Sequence, residues 1–247
     1  MSGYTTTFYR KQSDGSARSA ARIVPLVLDL ARGIQSVVDV GCGVGTFLAE
    51  FHNHGVGFVQ GFDGDYVNRE MLRISEDRFG ARDLSKPLHL ERRFDLAISL
   101  EVAEHLPPER ARSFVEDLTR LSDLILFSAA IPGQGGTHHV NEQWQDYWAG
   151  QFEEFGYHAL DAIRSRLWDC DDIEPWYRQN TLLYANLAAL ERDPSLLSHR
   201  ASSLPSLRVV HPGTWMAQPP PNELLRTVRQ AIPLYFRKVG ERLLGVQ

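Results

Sequence analysis

Two cysteines in 247 residues, Cys42 and Cys170, are too few for a disulfide framework, and Cys42 sits between two glycines, so both thiols read as reduced. Basic charge is also short. Against 31 Asp and Glu there are 26 Lys and Arg, a formal net charge of −5 with both signs mixed along the chain. Such a balance lacks the positive footprint that phosphate backbones select and argues against nucleic acid as a partner. Long apolar runs are missing: the stretch 124–131 falls far below the roughly 20 residues that cross a bilayer, so no membrane span is expected. The opening residues carry no charged leader followed by an apolar stretch, which together with reduced thiols points to a cytoplasmic protein. No internal repeat is found. The 43% hydrophobic content suits one large core with an appendage, hardly two enzyme domains.

What is present is alternation. Short β-branched runs alternate with helical patterns, starting with a strand at 36–40, a glycine loop, and a helix over 46–54 closed by Gly55. A second strand at 57–62 ends in Asp63, and Asp65 is placed to cap a helix over 66–74. Further strands are predicted near 80–84 and at 94–100, 124–131, 158–163 and 181–186. Helices are predicted after Pro107-Pro108, with Phe114, Leu118 and Leu121 as the apolar face, and over 142–155 with Gly156 as the stop. The last two strands lack a long helix between them, so one is expected to run antiparallel. The α/β class follows: a doubly wound, mostly parallel sheet of seven strands with helices on both faces. A helical segment at 16–31, interrupted by Pro25, precedes the core. A Pro-rich loop and a last helix over 222–244 follow it, split by Pro233 and offering a lid or a homodimer surface. The expected division is a main domain at 1–190 and a C-terminal extension at 191–247.

Gly41, Gly43 and Gly45 lie where the first strand meets the first helix, a place where an open sheet binds ligands and where missing side chains let a ligand approach. Asp63, followed by Gly64, ends the second strand, placed to accept hydrogen bonds from both hydroxyls of a ribose. A dinucleotide fingerprint needs Gly or Ala at position 46, and Thr46 stands there. The segment Val37-Val38-Asp39-Val40-Gly41-Cys42-Gly43-Val44-Gly45 instead resembles the first motif of class I S-adenosylmethionine-dependent methyltransferases, a family with a Rossmann-like domain. Asp63 resembles the family's ribose-binding acid and Asp83-Leu84 its adenine-edge motif. Residues 94–106 resemble its fourth strand and following loop. The resemblance spans roughly residues 16–186. It implies S-adenosylmethionine as cofactor, with Asp39, Gly41, Cys42, Gly43, Gly45, Asp63, Gly64, Asp83, Leu84 and Leu100 around it. Tyr9, Ser16 and Ser19 are candidates to reach the methionine carboxylate from the N-terminal segment.

Methyl transfer from a sulfonium is an in-line displacement in which alignment matters most, and a base helps when the acceptor must lose a proton. Candidate groups cluster in two loops at the catalytic edge, Glu101, Glu104 and His105 after the fourth strand and His138 and His139 after the fifth. Glu101, Glu104, His105 and His138 also resemble the metal site of small-RNA 2′-O-methyltransferases, which implies a divalent ion as an alternative reading. Trp144, Tyr147 and Trp148 are candidates for the core or for the acceptor wall. The expected activity is O-methylation of a sugar or natural-product hydroxyl, set against a metal-assisted RNA 2′-O-methyltransferase and a non-catalytic cofactor-binding module.

Overall fold

The computed structural model describes residues 6–216, with side chains from 15 to 215. Among these, the chain runs α1 (Thr6–Leu30), β1 (Ser36–Val40), α2 (Thr46–Asn53), β2 (Phe58–Asp63), β3 (Phe79–Ala81), β4 (Leu96–Leu100), α3 (Ala111–Leu121), β5 (Leu124–Ser128), α4 (Gln145–Glu153), β6 (His158–Leu160), α5 (Arg164–Leu167), α6 (Pro175–Asn180), β7 (Leu182–Ala185), α7 (Leu187–Arg192) and α8 (Pro212–Met216). The seven strands form one sheet in the order β3-β2-β1-β4-β5-β7-β6. Only β7 runs against the rest, paired antiparallel with β5 on one side and β6 on the other, as the short β6–β7 connection led us to expect for one strand of that pair.

Both faces of the sheet are covered, and the strands show why they read as continuous apolar runs. Side chains alternate between two cores: Leu96, Ile98, Leu124, Leu126 and Leu183 enter one, while Ala97, Ile125, Phe127, Leu182 and Tyr184 enter the other. The first core is closed by α1 and α2 through Ile23, Val24, Val27, Leu48 and Phe51, the second by α3 and α4 through Phe114, Leu118, Trp148 and Phe152. Trp148 is therefore core, its ring tilted against Phe127 at 5.3 Å between centroids, rather than an acceptor wall.

Two elements depart from the sequence expectation. Pro25 does not interrupt α1, which continues to Leu30. The lost hydrogen bond, about 3 kcal/mol in an exposed helix, is offset by the fully buried stripe Ile23, Val24 and Val27 around it. The segment 66–74 is not an α-helix capped by Asp65. It forms a short 3-10 turn over Arg69–Met71, capped by Asn68, whose side chain accepts from the Glu70 N–H. It is drawn onto the glycine loop instead: the Arg73 N–H donates to the Val44 carbonyl at 2.8 Å. Beyond β7, the segment 194–215 covers both cores, Leu196 entering the first and Leu207 the second, and His211 is buried as well. The helix expected over 222–244 lies outside the described residues. Among the described residues no helix is long and apolar enough to cross a membrane.

Candidate active site

The chain builds β1, β2 and β3 in one direction across the sheet and then β4 and β5 in the other, so the strand order reverses between β1 and β4. The loops leaving the carboxyl ends of these two strands diverge there, and the crevice between them is the expected ligand site of such a sheet. The β1 loop carries the glycines. Gly41, Gly43 and Gly45 all have positive φ, at 93°, 53° and 80°. Gly41 also has no room: a Cβ there would lie 2.2 Å from Val102 Cγ2, so the loops after β1 and β4 are in direct contact. Above Gly43 nothing lies within 4 Å of such a Cβ, which leaves the ligand side of the loop open.

Asp63 ties this loop to β2. One carboxylate oxygen accepts the Gly43 N–H at 2.7 Å, and the other accepts the Gly64 N–H at 2.6 Å and the Tyr66 hydroxyl at 2.5 Å. The oxygen facing Tyr66 thus already receives an alcohol-type donor, the interaction a ribose hydroxyl would make, from a side chain that is otherwise exposed. Asp39 is buried beneath the loop, and burial followed by the nearby Asp63 pushes its carboxyl well above the ordinary range. Cys42 is buried as well, and desolvation drives its thiol pKa up, so it acts as a small apolar filler. Asp83 follows β3 on the surface, where Ser85 and then Lys86 hold its carboxylate below the ordinary range in a local turn. Leu84 is buried beside it. Its carbonyl accepts from Arg110 Nε, and Arg110 is itself paired with Asp117 in the second core. Leu100 closes β4 beside the site.

Opposite the glycines lies the loop after β4. Glu101 adopts a left-handed backbone, φ 56°, and both its oxygens are engaged, one by Gln134 Nε2 at 2.9 Å and the other by Asn180 Nδ2 at 3.2 Å. Burial raises its pKa against those hydrogen bonds. Glu104 is fully buried, and neither carboxyl oxygen has a hydrogen-bond partner; the amides of Glu104 and Ala130 approach without reaching hydrogen-bond geometry. Burial first, then Glu101 and Glu142, push its pKa far up. The Glu104 carbonyl accepts the N–H groups of Val140 and Asn141 at 2.9 and 3.0 Å, latching the loop after β5 onto the loop after β4. That latch brings His139 against His105, rings edge to face with centroids 4.8 Å apart. His105 is open to solvent on one side. Packing on its other side, then His139, hold its imidazole below the ordinary range, so it is poised as a neutral acceptor.

The ligand-capable atoms of Glu104, His105 and His139 lie within 4.8 Å of one another. Of the four metal candidates read from the sequence, Glu104 and His105 are in this group, while Glu101 is committed to amides and His138 is an exposed left-handed residue outside it. His139 takes the place assigned to His138. Ser19 is fully buried, its hydroxyl donating to the Gly15 carbonyl and accepting from the Glu174 N–H, which uses it between α1 and α6. The side chain of Tyr9 lies outside the described residues. Four residues that sequence reasoning missed line the same region: Gln134, Glu142, Tyr177 and Asn180. Glu142 alone carried a signal, three residues after His139, and it holds the His139 Nδ1 at 2.8 Å. The Tyr177 hydroxyl senses both Glu101 and Asp39, and burial raises its pKa.

A family model described as a methyltransferase domain matches residues 9–168, well over half of the chain. The structure is similar to the sugar N-methyltransferase KedS8 from Streptoalloteichus sp ATCC 53650, at 15% identity and TM-score 0.55, covering 75% of this chain and 96% of that one. It is similar also to CalS10, an amino pentose methyltransferase from Micromonospora echinaspora, at 14% identity and TM-score 0.53, covering 75% and 99%. A third likeness is to magnesium protoporphyrin IX methyltransferase from Synechocystis PCC 6803 with bound S-adenosylmethionine, at 20% identity and TM-score 0.52, covering 75% and 86%. No curated protein matches the sequence.

Proposed function

Because the chain belongs to the methyltransferase domain family and is an S-adenosylmethionine-dependent enzyme of class I, we propose that it methylates a small hydroxylated acceptor, of the sugar or natural-product class, on oxygen. The observation that carries this reading is the Glu104–His105–His139 cluster, set across the crevice from the glycine loop and reached from solvent past His105. The residues present fit the cofactor. Gly43 leaves the loop open, and Asp63 already takes a hydroxyl donor. Asp39, Gly41, Cys42, Gly43 and Gly45 would hold the methionine end, Asp63 and Gly64 the ribose, and Asp83, Leu84 and Leu100 would flank them. Bound S-adenosylmethionine supplies a methyl group on a positively charged sulfur. The protein's share is to align the acceptor oxygen with that methyl, worth on the order of 7–11 kcal/mol, and to help it shed its proton.

The acceptor's proton leaves toward the imidazole side of the crevice as its oxygen forms the new bond, and the C–S electron pair stays on sulfur. A neutral His105 is suited to that task. The side chains bonded to Glu101 and His139, namely Gln134, Asn180 and Glu142, are amides and a carboxylate with no Lys or Arg among them, which supports a small polar acceptor over an RNA strand. Calorimetry with S-adenosylhomocysteine, followed by incubation with sugar and natural-product pools and mass analysis, tests the reading. We expect S-adenosylhomocysteine to bind in preference to NAD and a gain of one methyl group on a hydroxylated metabolite. Asp63→Ala should weaken cofactor binding by about 1–3 kcal/mol, the scale of stranding buried hydroxyls. Methyl incorporation into RNA alone would overturn the acceptor class.

A further inference from the structure

We propose that Glu104, His105 and His139 together bind one divalent first-row transition ion, of the zinc or manganese kind, on the acceptor side of the crevice. Groups of titratable side chains often assemble without an ion, and the feature that sets this one apart is Glu104. Its side chain has no exposure to solvent, and both carboxyl oxygens lack a hydrogen-bond partner. Buried polar atoms are almost always satisfied, so an acid left without partners beside two imidazoles needs a physical account. A cation between the three groups supplies it, giving the carboxylate a counter-charge where, among the described residues, the charged groups set against it are the acids Glu101 and Glu142.

The imidazoles are prepared as ligands are. His139 Nδ1 lies 2.8 Å from Glu142 Oε1, and Glu142 is itself anchored by the N–H groups of Gly133 at 2.7 Å and Gly135 at 3.1 Å. With its Nδ1 proton directed at Glu142, His139 keeps the lone pair of Nε2, the tautomer that a carboxylate behind a metal-bound histidine enforces. The exposed His105 ring lies edge to face against His139, 4.8 Å between ring centroids, so both imidazoles stand beside Glu104. Two nitrogens and one oxygen suit Zn²⁺, Mn²⁺, Co²⁺ or Fe²⁺, whereas Mg²⁺ and Ca²⁺ favour all-oxygen sets. Three protein ligands leave coordination positions open, the pattern of a catalytic rather than a structural site.

The role of the ion, though not its binding, rests on the methyl-transfer reading. With the ion bound, His105 would serve as a ligand in place of its role as base: an acceptor hydroxyl in an open position would have its pKa lowered by coordination and lose its proton to solvent, and its oxygen would take the methyl while sulfur keeps the C–S pair. Alignment and deprotonation would then come from one group.

The test uses the full chain, stripped with chelator and titrated with Co²⁺, read by calorimetry and visible absorption, with S-adenosylhomocysteine affinity measured on the same samples. We expect one equivalent of Co²⁺ with the absorption of an open N,O-site. Glu104→Gln and His139→Ala should each weaken it at least about a hundredfold, and Glu142→Gln about 10–100-fold. His138→Ala should retain it. Absence of stoichiometric binding in the wild-type chain would overturn the proposal. So would undiminished binding in both Glu104→Gln and His139→Ala, which would assign the ion to surface histidines such as His52 and His54. Should Glu104→Gln fail to fold, seen as loss of S-adenosylhomocysteine binding, His139→Ala and Glu142→Gln decide. Wild-type chain that binds Co²⁺ but not S-adenosylhomocysteine would sink the methyltransferase reading and leave the metal site standing.

Discussion

Asp63 and Glu104 are both buried acids at the carboxyl edge of one sheet, yet their surroundings are opposite. Asp63 receives three hydrogen bonds, two from backbone amides of its own loops and one from Tyr66. Glu104 receives none. The cofactor half of the crevice is thus nearly complete within the protein, Gly41 fitted against Val102, Gly45 against Ile74, and the Asp63 carboxylate satisfied. The acceptor half keeps buried polar groups in reserve, the two Glu104 oxygens and Asn141 Nδ2 among them. A pre-satisfied region tolerates the absence of its ligand, and an unsatisfied one places its binding energy where the ligand or ion will supply the missing partner. Under the proposed function the difference divides the chemistry: binding would fall to the loop after β1 and activation to the loops after β4 and β5.

The largest expected effect separates the two halves directly. His105→Ala and His139→Ala should each lower kcat by about 10²–10⁴-fold while S-adenosylhomocysteine affinity stays within about threefold. Single-turnover kinetics beside calorimetry read this, and a parallel loss of both quantities would erase the division of labour. Next, Gly41→Ala attacks the contact between the halves. A methyl group there meets Val102 and must adopt φ 93°, so cofactor affinity should fall by about 1–3 kcal/mol. Adding Val102→Ala should return the steric share and leave the backbone share.

A third expectation concerns protons. Burial and Asp63 raise the Asp39 pKa, so between the ordinary carboxylate range and the raised value the folded apoprotein keeps a proton there that the unfolded chain releases. The sign follows: this group's contribution to stability is greatest in acid and declines as pH rises from the ordinary carboxylate range through the raised value. An ammonium group bound beside Asp39 favours its ionised form. S-adenosylhomocysteine should therefore release protons on binding, seen as a buffer-dependent enthalpy, and should flatten the pH dependence of the unfolding midpoint; Asp39→Asn should abolish both. The smallest effect probes the pre-satisfied state itself. Tyr66 donates to the oxygen that the ribose needs, so Tyr66→Phe should tighten S-adenosylhomocysteine binding by about 0.5–1.5 kcal/mol. Weaker binding would instead make the Tyr66 hydroxyl part of the ligand site.

Local chemistry made the cofactor half legible. Glycine is required wherever φ is positive or a neighbour comes too close, so Gly41, Gly43 and Gly45 announce their geometry in sequence, as does an acid at the end of the next strand. The strands of the sheet were equally readable, because a strand covered on both faces is apolar throughout. The segment 66–74 misled because its apolar spacing fits a helix, while the bond from Arg73 to Val44 and the fit of Ile74 against Gly45 are made with residues about 30 positions earlier.

The amino-acid sequence by itself determined the α/β alternation, the glycine loop, the acid that ties it to β2, and the loops that carry Glu101, Glu104, His105 and the paired histidines. Only the tertiary structure decided which of those histidines meets Glu104. His138 and His139 are adjacent and chemically identical, and the choice is made by two backbone hydrogen bonds to the Glu104 carbonyl and by the left-handed turn at His138. It decided also that Glu101 is held by Gln134 and Asn180, residues 33 and 79 positions away, the first from the loop after β5 and the second brought in by the insertion of β7 beside β5. The physical reason is common to both. Propensity and periodicity act within a turn or a strand, whereas the satisfaction of a buried polar group depends on whatever the completed sheet places next to it.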